Sequence, residues 1–145
     1  MHRRTVVDER GSTSLELVIW GPALLLLMSL VIFGGRVAQA GLTVESAAGE
    51  AARAATVAAN RAQAGARAHD AAEQAFTSAG LRCSSVSVSV DTSQWTRPEG
   101  QPARVSATAT CQVALSDLVG ISLLPGSRTV TASASSALDR FRVRS

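Results

Sequence analysis

Three kinds of residue in this chain are placed to do chemistry. Glu16 stands at the head of a nineteen-residue stretch without a charge, Leu17 to Gly35. A carboxylate at the edge of hydrocarbon costs a few kcal/mol. It is therefore either an interfacial anion favoured by a helix N-terminus or the partner of a cation. Cys83 and Cys111 are the only thiols, and His2 and His69 the only imidazoles. His69 sits beside Asp70 on a polar helical face, so neither thiol has a histidine to activate it and no acidic cluster completes a metal site. No glycine-rich phosphate loop is present. The expectation is a protein that is not an enzyme, with no catalytic residues, cofactor, metal or small-molecule substrate. The net charge is +3, and all fourteen basic residues are Arg, scattered along the chain. Scatter of this kind argues against nucleic acid as a partner.

The elements that hold these residues follow from hydropathy and period. As a helix, Leu17 to Gly35 spans roughly 28 Å, the thickness of a bilayer core. A soluble core helix would need enclosing elements, and the rest of this 145-residue chain is too small to supply them. Arg3, Arg4 and Arg10 precede the stretch, whereas Arg36 alone follows it closely. That asymmetry puts the N-terminus in the cytoplasm and the later residues outside. Gly21 and Pro22 predict a kink, because proline removes one helical hydrogen bond and crowds the carbonyl of Val18.

The spacing around Glu16 carries a resemblance. The chain reads Arg10-Gly11-Ser12-Thr13-Ser14-Leu15-Glu16 before the apolar run. A basic leader ends in glycine, and glutamate is the fifth residue beyond it. This resembles the processing signal of type IV pilins and pseudopilins, and more closely the TadE-like family of tight-adherence (Tad, Flp-type) pilus assembly proteins. Arg10, Gly11, Ser12, Leu15, Glu16, Leu17 and Pro22 fit, as do Leu24 to Leu27 and Phe33-Gly34-Gly35-Arg36. Val18 replaces a common alanine, and Trp20-Gly21 is unusual.

The resemblance implies a minor pilin or pseudopilin in a single-pass cell-membrane topology, able to enter a pilus. A prepilin peptidase would cut between Gly11 and Ser12. Glu16 would pair with the new Ser12 α-amine of a neighbouring subunit, offsetting part of the desolvation cost of both charges. Other pilins or pseudopilins and the inner-membrane assembly platform are the implied partners. A rival signal lies at Ala38-Gln39-Ala40 before Gly41, where ordinary signal peptidase would release a small secreted binding module.

From Val37 to about Ala79 the chain is rich in alanine, the best helix former. Ala40, Val44, Ala47, Ala48, Ala51, Ala55, Ala58 and Ala62 recur at three and four. They predict a narrow apolar stripe on a long helix broken near Gly41, Gly49 or Gly65 and stopped by Gly80. The stripe packs either on the chain's own sheet or on a neighbouring subunit. Glu50 with Arg53, and His69 with Glu73, share helical faces.

At Cys83 the period switches to two. Ser84 to Val90, Ala103 to Leu115 and Ser127 to Ser135 each alternate, predicting an antiparallel meander. Ser116 or Asp117 would cap a short helix ended by Pro125-Gly126, in a segment apolar enough to complete a core or to be an exposed contact. Both cysteines fall outside the membrane in this topology, where a pair reads as a disulfide rather than free thiols. The tail from Asp139 to Arg144 alternates Arg with apolar residues, which reads either as a solvated edge strand or as a contact for acidic lipid or an acidic partner.

The expected fold is α+β and pilin-like: a long N-terminal helix packed on a small three- or four-stranded antiparallel sheet. The expected division is a leader at 1–11, a transmembrane helix at 12–36, a helical segment at 37–80 and a disulfide-linked β domain at 81–145.

Overall fold

A computed structural model of the chain describes residues 12–119 and 125–139, with side chains for residues 18–118 and 125–139. The order is α1 (Ser12–Thr56), α2 (Arg61–Ser78), β1 (Cys83–Asp91), a short 3-10 turn (Ser93–Thr96), β2 (Ala103–Ala114), α3 (Leu115–Val119) and β3 (Ser127–Leu138). The fold is α+β, as expected. The strands form one antiparallel sheet in the order β1-β2-β3. Two compact units divide between Gly35 and Arg36, so the later helices and the sheet belong to one unit.

That unit is built on alanine. On α1, Ala40, Val44, Ala47, Ala48, Ala51 and Ala55 are buried, and on α2 Ala64, Ala68, Ala72 and Phe76. Both sets recur at helical spacing. On β2 every second residue from Ala103 to Val113 is buried, the period that a half-covered strand requires. The largest fully buried side chains are only Val44, Val105, Val113 and Cys111. Small side chains let helices lie close to a sheet, but each contributes little burial.

The helix break differs from expectation. α1 runs through Gly41 and Gly49, and Gly65 lies inside α2. The interruption falls at 57–60, where the Asn60 side chain caps α2 by accepting from the Gln63 N–H at 3.0 Å. A capping side chain offers the backbone an alternative partner, which isolated glycines do not. The restart resets the helical phase, so Ala58 is buried but Ala62 is exposed. Gly80 ends α2 as expected, with φ +70°. Leu81 N–H donates to the Phe76 carbonyl and Gly80 N–H to that of Thr77, at 3.0 and 3.1 Å, the paired closure of a Schellman motif.

β1 and β3 extend slightly beyond the alternating runs that predicted them, whereas β2 stops at Ala114, one residue short, because Leu115 opens α3. Val86 faces Cys111 and Ala107 faces both Val90 and Ala134. A register shift between Cys83 and Ser85 marks a bulge at the start of β1. α3 begins at Leu115, so Ser116 and Asp117 lie within it rather than capping it. Leu118 is buried. Trp95, in the turn after β1, is buried as well.

Candidate functional site

The first unit carries the features that matter most. Large apolar side chains from Val18 to Ile32 are all exposed, Leu26 by 72%. Exposing so many in water would cost on the order of 20 kcal/mol. The cost disappears in hydrocarbon, and α1 is long and apolar enough to cross a membrane. Apart from the carbonyl facing Pro22, its backbone needs no outside partner there, because helical hydrogen bonds are internal. Ser29 satisfies its hydroxyl on the Leu25 carbonyl at 2.8 Å.

Pro22 lies inside α1, which continues through Gly21 and Pro22 without interruption. Proline supplies no N–H, so the carbonyl of Val18 lacks its usual donor. A Cβ placed at Gly21 would meet nothing within 4 Å. Gly11 lies outside the described residues. Ser12 and Glu16 fall in the first turns of α1, and their side chains are likewise outside what is described.

The second unit is held by a disulfide between Cys83 and Cys111, with Cα atoms 5.4 Å apart. Cys111 is fully buried and Cys83 half-buried. The bridge ties the edge strand β1 to the central strand. A further clamp joins the start of α2 to the turn after β1: Arg61 Nε donates to Thr92 Oγ1 at 2.8 Å. The neighbouring Asp91 carboxylate accepts from the Ser93 N–H at 2.9 Å. The Ser93 donors, with Arg61 assisting, hold its carboxyl below the usual range.

The outward face of the sheet is a grid of hydroxyls. Ser87, Thr110 and Thr131 form one row, and Ser89, Thr108 and Ser133 the next. Thr108 and Ser133 share a hydrogen bond of 2.8 Å, and Thr110 and Thr131 one of 3.2 Å. Sequence reasoning read the alternation but missed these rows, because register across three strands is not visible in any one of them.

The remaining titratable groups are dispersed. Glu50 pairs with Arg53 at 3.1 Å, and His69 lies 3.9 Å from Glu73; both pairs are solvent-exposed. An open cleft of about 700 Å³ between α1 and α2 is lined by Leu42, Ser46, Glu50, Gln74 and Ser78 among others. Its one carboxylate is already in the Arg53 pair. Among the described residues no charged, hydroxyl or amide side chain is buried, the buried indole N–H of Trp95 has no hydrogen-bond partner, and no three His, Cys, Asp or Glu are grouped to hold a metal. The alternating Arg residues of the C-terminal tail, 140–144, lie outside the described residues.

Residues 11–53 match the family model described as TadE-like protein. The match runs from Gly11 through the apolar run and most of the buried stripe of α1. It stops before α2 and the sheet. Neither a curated protein nor a solved structure matches the chain.

Proposed function

We propose that this chain is a TadE-like minor pilin or pseudopilin that acts in assembly of a Tad (Flp-type) pilus and performs no catalysis of its own. The observation that carries the reading is that one helix holds both features. The TadE-like match covers residues 11–53, and α1 within it exposes every large apolar side chain from Val18 to Ile32. A processing point followed directly by a bilayer-length helix is what a membrane-held subunit needs.

In this reading α1 is a single-pass anchor with the N-terminus cytoplasmic. The arginine asymmetry supports that orientation. The Cys83–Cys111 bridge supports an extracytoplasmic second unit, since such bonds persist in oxidising compartments. A prepilin peptidase cuts after Gly11 and leaves an α-amine on Ser12. Glu16 of one subunit pairs with that amine on a neighbour and sets the axial register of the two helices. In a low-dielectric site, breaking such a pair costs several kcal/mol because one charge stays buried alone. The partners are other pilins or pseudopilins and the membrane assembly platform.

A second reading is release of residues 41–145 by signal peptidase after Ala40. It would cut within the compact unit, through an unbroken stretch of helix at a residue only 4% exposed. The experiment that separates the two is replacement of Gly11 by a bulky residue. The pilus reading expects full-length protein to accumulate in the membrane. Continued production of a chain beginning at Gly41 would support the second reading instead.

A further inference from the structure

We propose that β3 is an interface on which a second copy of this chain pairs, antiparallel and edge to edge, to make a continuous six-stranded sheet. β3 stands at the end of the sheet order. Among the described residues no further strand pairs with it. It is twelve residues long and pairs with β2 at every position without a register shift. An edge strand of that kind is a template for another strand, and proteins normally blunt one with proline, a bulge, charge or brevity. Between Ser127 and Leu138 there is no proline, no bulge and one charged residue, Arg128. The opposite edge is protected: β1 is shorter, carries the bulge at Cys83, ends in Asp91 and has α2 packed beside it.

The strand is also complementary to itself. When two copies of one strand pair antiparallel, their like faces fall on the same side of the joined sheet only if the paired residue numbers sum to an even value. A two-fold axis at Ala132 meets that condition and overlaps nearly the whole strand. Thr131 then faces Ser133 of the other copy, and Thr129 faces Ser135. Val130 faces Ala134, and Ala132 faces itself. The hydroxyl rows that end at Thr131 and Ser133 therefore continue into the second sheet. The half-buried residues Val130, Ala132 and Ala134 likewise meet apolar partners. Arg128 falls opposite Ser136, so no like charges oppose. The inference stands on the sheet alone and does not depend on the pilus reading.

The test uses the full-length chain in detergent micelles with a mild thiol oxidant. Ala132→Cys should yield a covalent dimer, and Ala137→Cys, which has no self-partner in this register, should not. Thr131→Lys with Ser133→Lys places two exposed lysine pairs opposite each other across the axis. It should reduce the Ala132→Cys cross-link by roughly tenfold. Thr131→Glu with Ser133→Lys converts the same contacts to attractive pairs and should restore it. Retention of the Cys83–Cys111 bridge in each variant checks that the monomer is folded. Three outcomes would overturn the proposal. In one, Ala132→Cys links no better than Ala137→Cys. In another, the link is indifferent to the lysine pair. In the last, the cross-linked partner is a different protein.

Discussion

Cys83 is bonded to Cys111 although neither is the other's ladder partner: Cys83 faces Val113, and Cys111 faces Val86. The bulge between Cys83 and Ser85 lets the bridge cross the ladder obliquely. The staple closes 28 residues, worth roughly 3.6 kcal/mol in the chain-entropy model. A core whose largest fully buried side chains are valines and a cysteine has little else to replace it. Replacing both cysteines with alanine should lower unfolding free energy by about 2–4 kcal/mol. Denaturant melts of the two chains measure this, and equal midpoints with equal slopes would refute it.

Gly126 and Gly49 should respond in opposite directions to alanine. Gly126 has φ +130°, and a Cβ there would lie 2.8 Å from Leu115 Cδ1. Its carbonyl also accepts from the Leu115 N–H. Gly126→Ala should destabilise by about 1–3 kcal/mol. Gly49 is helical with nothing within 4 Å of a new Cβ. Gly49→Ala should stabilise by about 0.5–1 kcal/mol. Thermal melts of the pair decide it, and a shared sign would show that the local geometry is misassigned.

Much of this fold is legible from period alone. The run from Ser84 to Val90 alternates, and it is a strand; Gly80 follows a helical run, and it is the C-cap. The break between α1 and α2 was not legible, because the three glycines offered stronger-looking interruptions than one asparagine. Asn60 wins because its side chain satisfies a backbone donor that the helix start leaves free. The burial of Trp95 was hidden because it depends on how the chain folds back from the 3-10 turn onto β2, which no local period signals. A lone tryptophan in an otherwise polar turn was the available signal. Glu16 and Gly11 were legible only as spacing, since the roles proposed for them involve a peptidase and a neighbouring helix.

Asn60→Ala should therefore cost about 1 kcal/mol, through loss of the bond to Gln63 N–H. Asn60→Asp should retain most of it, since the carboxylate accepts the same bond. Denaturant midpoints for both variants give the comparison, and an alanine variant as stable as the parent would contradict the cap assignment.

Asp91 predicts a pH dependence of definite sign. Its carboxyl is held below the usual value by the Ser93 hydrogen bonds first, with Arg61 adding attraction. A depressed folded value means the stabilisation is present above the unfolded carboxylate range and fades as pH falls through the folded value. Wild type should be slightly more stable than Asp91→Asn near neutrality, and the gap should close in strong acid. Melts across pH 2 to 7, roughly the window spanning carboxylate titration, test this. A gap that widens on acidification would reverse the assignment.

Glu16 separates an anchor from an assembly element. If α1 only anchors, Glu16→Leu is neutral or favourable, because it removes a charge from the hydrocarbon edge. If Glu16 pairs with a neighbour's Ser12 amine, the variant should be cleaved and inserted normally yet lose pilus output. Asp at position 16 should restore part of it, keeping the charge with a shorter reach. Pilus yield beside a membrane-fraction blot gives both quantities, and full output from the leucine variant at normal protein level would remove the pairing.

The mature N-terminus of the protein recovered from its native membrane, read by intact mass and terminal sequencing, decides whether the chain is processed as a pilin. Processing after Gly11 gives a chain that begins at Ser12 and keeps all of α1. A mature chain that begins at Gly41, or one that keeps the leader intact, would contradict it.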